Sequence, residues 1–351
     1  SVLALASGLL ATGLLAPAAA RADDVITALH PETCETYQIK CSEVLPETWT
    51  EVRYKLGKAE KSVPLALVTQ IERTSGGKER GILDAALLEL RRGNFTEARM
   101  ALRDLAAGGF KMEEGTQKFT PFPKGGSGAK GKRPAWTQEY AHFWYAYALV
   151  REGEKSGNAK LLEEALLVLD DVPVPGEGKE TTGGFLGRFK GGNSRWLPDA
   201  MLLKAEALMG LKRWDEAGAA FGDLFDQAVG VGLSPRWVYA ATRGAGRIAE
   251  GKGDTEAAIR AYEQGPTALE TLLAQSPNRC LRLETGRYYS MVRMEAAKVL
   301  LRKAEAGGKP ADFMPLRNYL ESSTPEALQR KVGTKPPEQV EALQGLGRAA
   351  L

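Results

Sequence analysis

One four-residue phrase recurs along the chain and constrains its fold more than any other feature. It reads Phe95-Thr96-Glu97-Ala98, Leu162-Glu163-Glu164-Ala165, Trp214-Asp215-Glu216-Ala217 and Thr255-Glu256-Ala257-Ala258, with a weaker copy at Met294-Glu295-Ala296-Ala297. Four positions after each final Ala stands a bulky apolar residue: Leu102, Leu169, Phe221, Tyr262 and Leu301. Residues four apart share one face of a helix. A small residue lets two helices approach, and the large one fills the gap beside it. Recurrence at this scale predicts stacked helical hairpins.

The residues around the phrase carry a family resemblance. Ala86, Gly93, Phe95, Ala98 and Leu102 form one set; Ala205, Trp214, Ala217, Phe221 and Leu224 form another, with Lys212 where Gly is usual. Gly246, Gly253, Ala258 and Tyr262 form a third, with Thr255 replacing the aromatic. The pattern resembles the tetratricopeptide (TPR) repeat, and the chain as a whole is similar to exported bacterial proteins of that type. The resemblance spans roughly 82–304. It implies a mainly α fold, an α-solenoid of TPR-like hairpins, with protein or peptide bound in the concave groove. Groove candidates are Leu87, Tyr145, Leu208 and Arg247. The anchor alanines are separated by 67, 52, 41 and 39 residues, against a family period of about 34. The excess reads as insertion. The copy at Ala165 departs most, with a first helix expected over 139–151 and an elongated turn over 152–158.

Ahead of the repeats the character differs. Val2 to Leu15 is almost wholly apolar, Pro17 ends that run, and Ala20-Arg21-Ala22 is a small-x-small triplet. This is the pattern of a secretory signal peptide over 1–22; the competing reading is a retained membrane anchor, for which the run is short. Export would place the protein in the periplasm or cell envelope, where disulfides persist. Of the three cysteines, Cys34 and Cys41 are close in sequence and Cys280 is remote. The two near ones read either as a disulfide closing a small loop or as two buried thiols.

Residues 23–78 read as a small strand-rich segment. Thr50 to Leu56 and Ser62 to Ile71 alternate polar with apolar residues, the period of a half-buried strand. Gly57 to Lys61 between them predicts a β-hairpin loop, with Pro64 at a strand start or edge. Thr74 to Lys78 is a break before helices over 79–309. The last stretch, 310–351, carries five prolines and predicts short helices that cap the array.

Two insertions fall at 110–134 and 173–196, and both are expected to be mobile surface loops. The first holds six basic and two acidic residues. Its Gly126-Ser127-Gly128-Ala129-Lys130-Gly131 fits the spacing of a dinucleotide-binding loop, but Pro121 and Pro123 precede it and Pro134 follows. Such a loop needs a strand before and a helix N-terminus after, so a nucleotide site is not expected.

Catalytic groups are scarce. His30 and His142 are the two histidines, and neither lies in a recognisable metal or triad motif. Charge is close to balance, with 47 Lys+Arg against 44 Asp+Glu, which excludes nucleic acid as the expected partner. The aromatic stretch Tyr140 to Tyr147 is either helix core or a binding face. The candidate partner-binding residues are Tyr140, Trp144, Tyr145, Arg188 and Lys190. The functional expectation is an exported, non-enzymatic scaffold for a protein or peptide partner, with no cofactor, no metal and no membrane span after signal cleavage. The alternative is a module that binds cell-wall glycan through 140–147 and the basic loops.

Overall fold

A computed structural model describes residues 23–106, 136–170, 184–275 and 278–321. The expected signal segment, the Gly126–Gly131 run and the final stretch 322–351 lie outside the described residues. Within them the chain is mostly helical, with a small N-terminal sheet region.

Six strands form two antiparallel sheets. They are β1 (Asp24–Leu29), β2 (Thr36–Cys41), β3 (Glu43–Val44), β4 (Glu51–Leu56), β5 (Ala59–Pro64) and β6 (Val68–Glu72), in the orders β2-β1-β6 and β3-β4-β5. The expected hairpin is β4–β5, closed by a two-residue turn at Gly57-Lys58 with Leu56 opposite Ala59. Gly57 takes a positive φ of 62°, which suits such a turn. The second expected strand does not run through to Ile71. Pro64 ends β5 at a sheet edge, a 3₁₀ turn spans Leu65–Leu67, and β6 crosses to pair with β1. Proline lacks the N–H a ladder needs, so the strand stops there. β1 and β2 were not read from the sequence, although Ile26 pairs with Ile39 and Ala28 with Tyr37 on one face. That face, with Val44, Val52, Tyr54 and Val63, makes a small core. Asp24 is buried and accepts from the backbone N–H of Val44 (2.8 Å) and of Thr74 (2.7 Å), fixing where β1 starts.

The helices are α1 (Gly77–Arg92), α2 (Phe95–Ala106), α3 (Trp136–Ser156), α4 (Ala159–Leu169), α5 (Phe185–Arg188), α6 (Leu197–Gly210), α7 (Trp214–Val231), α8 (Pro235–Gly251), α9 (Thr255–Gln275), α10 (Arg279–Gly307) and α11 (Met314–Glu321). α3 runs longer than expected, so the turn after it is short. The pairs α1/α2, α3/α4, α6/α7 and α8/α9 each pack together, and α1 touches α3, α3 touches α6, α6 touches α8 and α8 touches α10. Ala98, Ala165, Ala217, Ala258 and Ala297 are all buried, as are Leu102, Leu169, Phe221 and Tyr262.

The corners between paired helices share one geometry. Gly93 has φ 78°, and the N–H of Asn94 donates to the Glu89 carbonyl at 3.0 Å. Gly253 has φ 75°, with Asp254 donating to Ala249 at 2.9 Å. At the third corner Lys212 adopts φ 58°, with Arg213 donating to Leu208 at 2.9 Å. A left-handed residue closing the helix through this bond is the usual way to satisfy its last carbonyls. Lys212 accepts a backbone strain of about 1 kcal/mol that Gly would avoid.

Close approach is sharpest at α8. A Cβ on Gly244 would overlap the Phe221 ring from α7, and one on Gly246 would overlap the Tyr262 ring from α9. The two bulky anchors therefore sit in notches that α8 provides. Gly246→Ala is expected to destabilise the fold by about 1–3 kcal/mol through overpacking, despite Ala's better helix propensity. Urea denaturation measures this; a variant as stable as wild type would refute the notch.

The second insertion is corrected over its described part. Phe185, Phe189, Ser194 and Trp196 are buried, and the three aromatics join the helical core, while Gly191 and Asn193 stay exposed. Phe185 and Phe189 lie one helical turn apart with ring centroids at 4.5 Å, and Phe185 packs against His142 and Phe143 of α3. These aromatics bury more apolar surface than a solvated loop would allow.

Candidate interaction face

The polar residues of four helices line up on one side of the array. On α8 these are Arg236, Tyr239, Arg243 and Arg247, while Trp237, Val238, Ala241, Thr242, Gly244 and Gly246 are buried. The spacing of three and four keeps the first set on one stripe. Half-buried residues at the same spacing are Trp144, Tyr147 and Arg151 on α3, Asp199, Leu202 and Glu206 on α6, and Glu284, Tyr288 and Glu295 on α10.

Neighbouring stripes are joined. Arg151 donates to Glu206 at 2.7 Å, and its guanidinium lies over the Tyr147 ring at 4.9 Å. Arg236 donates to Asp199 at 3.2 Å, and the Tyr239 and Tyr288 rings sit 5.5 Å apart. Burial pushes the Glu206 and Glu284 carboxyls up. It pushes Asp199 up to about 6, against the opposing pull of Arg236 and Arg195.

The Asp199 shift has a sign. Between about 4, the unfolded value, and 6, the folded chain holds a proton that the unfolded chain has released. Stability from this group is therefore greatest below that window and is lost as pH rises through it. Asp199→Asn is expected to flatten this part of the stability–pH curve. Denaturation at several pH values checks it, and parallel curves for the two proteins would refute it.

One end of the face is closed by the N-terminal strands. Glu47 is buried in the loop before β4. Its Oε1 accepts from Arg73 (2.7 Å) and from the Tyr140 hydroxyl (2.8 Å), and its Oε2 lies 3.3 Å from Arg195 Nε. Arg73 also donates to the Val44 and Leu45 carbonyls. Arg195 lies over the Trp196 ring at 4.1 Å and over Tyr140 at 5.6 Å. Burial drives the Tyr140 hydroxyl well above its usual range. Beside this cluster is a cavity of about 200 Å³ lined in part by Glu43, Arg73, Trp136 and Tyr140. Trp49 donates its backbone N–H to Gly192 at 3.1 Å.

A covalent bond makes the second junction. Cys34 is joined to Cys280 at the start of α10, with Cα atoms 5.3 Å apart. This corrects both readings of the near pair: Cys34 does not bond Cys41, and Cys41 alone is the buried free thiol. The strands explain the exchange. Cys34 lies in the turn between β1 and β2, whereas Cys41 ends β2 opposite Asp24. The Cys280 N–H donates to the Pro31 carbonyl at 3.1 Å, beside the bond.

The candidate residues divide. Tyr140 and Trp144 are half-buried, but their rings are engaged, Tyr140 by Trp136 and Trp196 and Trp144 by Phe143, Tyr147 and Trp196. Tyr145 is core, its hydroxyl donating to Glu164. Leu208 is also buried, Leu87 is half-buried, and Arg247 is exposed on the stripe. The side chains of Arg188 and Lys190 lie outside what the structure describes. His142 is buried with Nε2 3.0 Å from the Val168 carbonyl, tying α3 to α4. His30 Nδ1 accepts from the Glu32 and Thr33 N–H groups. Among the described residues no cluster of His, Cys, Asp or Glu is arranged to hold a metal, and no helix is long and apolar enough to cross a membrane.

Sequence reading missed Asp199, Glu206, Arg236, Tyr239, Arg243 and Tyr288. Their signal was present as polar residues at intervals of three and four on helices otherwise small and apolar. Comparison with protein-family models, with curated proteins and with solved structures finds no match to this chain.

Proposed function

We propose that this protein is an exported scaffold whose helices form a TPR-like solenoid, and that it binds a protein or peptide partner along the stripe on α3, α6, α8 and α10. The observation that carries the reading is the stripe itself. Four helices present partly exposed charged and aromatic residues in register on one side, over a core of small anchors. Aromatic and Arg side chains are the types that dominate protein interfaces. The order of helix contacts, the buried anchor alanines and the repeated corners support the solenoid. The Cys34–Cys280 bond supports an oxidising compartment.

A photo-crosslinking residue at Tyr239 or Arg247 should capture a partner from the cell envelope, whereas one at Asp226 on α7 should not. Equal capture at both places, or none at either, would sink the reading. The glycan alternative draws less support, because the rings of 140–147 are packed against one another and against Trp196.

A further inference from the structure

The acids of the stripe are already committed. Asp199 is held by Arg236, Glu206 by Arg151, Glu295 by Lys298 at 3.2 Å, and Glu284 accepts from the Ser234 hydroxyl at 3.2 Å. Several of the arginines are not. Arg243 and Arg247 on α8 and Arg287 on α10 are exposed, and among the described residues they make no ion pair and no hydrogen bond. Arg243 lies one turn from Tyr239 and Arg287 is the chain neighbour of Tyr288, while Arg247 is one turn further along α8, facing Glu206. Arg243 is close enough to bear on the Tyr239 hydroxyl, and Arg287 on that of Tyr288. Three spare cations beside two half-buried rings leave this half of the face basic and partly apolar.

We infer that the segment received here is an acidic peptide, with carboxylates meeting Arg243, Arg247 and Arg287 and an apolar side chain lying on the Tyr239–Tyr288 pair. The inference rests on the reading that the face binds peptide. Guanidinium forks pair well with carboxylates, and a ring pair desolvates the contact between them, which strengthens it. A basic segment would find fewer openings: Glu206 and Asp199 are taken by Arg151 and Arg236, and of the stripe's acids only Glu284, half-buried and facing Arg287, has no ion-pair partner among the described residues.

The test uses the full chain and three fluorescent peptides of one length and apolar pattern, carrying Glu, Gln or Lys at the variable positions. Anisotropy should rank Glu over Gln by about tenfold or more, with Lys weakest, and added salt should narrow the gap. The double variant Arg243→Glu/Arg247→Glu, both exposed and so expected to fold, should lose the Glu peptide and gain the Lys one. Equal binding of Glu and Gln peptides, or an indifferent double variant, overturns the acidic preference and leaves the peptide reading standing. Binding of none overturns both. Displacement by polygalacturonate as readily as by polyglutamate overturns the commitment to a peptide.

Discussion

Glu47→Ala should cost about 3–5 kcal/mol of folding stability, the range for removing one partner from a buried ion pair. Glu47 and Arg73 are only 2% and 6% exposed at their side chains, and Arg195 is largely covered. One carboxylate therefore serves two guanidinium groups and the Tyr140 hydroxyl. Removing it leaves two largely buried cations without the carboxylate that offsets their desolvation and their mutual repulsion. The loss should be local first. The strands should come away from α3 and from the segment before α6 before the helices melt, since Glu47 bridges the two parts. Limited proteolysis should therefore cut near 73–77 earlier in the variant. Glu47→Gln keeps an acceptor but no charge and should fall between. A loss below about 1 kcal/mol for the Ala variant would mean the cluster is hydrated and adds little.

Breaking the Cys34–Cys280 bond should cost a comparable amount, about 2–5 kcal/mol. The cysteines are 246 residues apart in sequence. Loop-closure entropy rises slowly with length, so a long loop is restrained more than a short one, though not in proportion. Cys280→Ser should unfold at lower denaturant than wild type and should be indifferent to reductant. Wild type in reductant should fall to the level of the variant. Insensitivity of the wild type to reductant would show that the bond adds little to the non-covalent contacts that hold the strands in place.

What the sequence could and could not disclose follows from the range of each interaction. The anchor alanines were legible because a helix repeats within four residues, and each Ala predicts its bulky neighbour locally. Lys212 was legible for the same reason: a corner needs a left-handed residue at one place, and the chain had Lys where Gly was due. The partner of Cys34 was not legible, because proximity in sequence favoured Cys41 and only the β1–β2 turn carries Cys34 away from it. The described part of the second insertion, from 184 on, misled because its glycines announce a loop, whereas Phe185, Phe189 and Trp196 are buried there. The polar stripe was hidden for another reason. Each helix shows only a few scattered polar residues, and their meaning lies in the register between helices.

The disulfide also imposes an order on how the molecule is made. A chain that emerges N-terminus first presents Cys34 and Cys41 to each other long before Cys280 exists. Pairing β2 against β1 draws those two apart, one to the turn and the other to the far end of the strand. A hairpin formed before α10 is made would keep Cys34 unspent until Cys280 arrives. On that order the bond would close only once α10 lies within reach of the first strands, and it would record assembly instead of directing it.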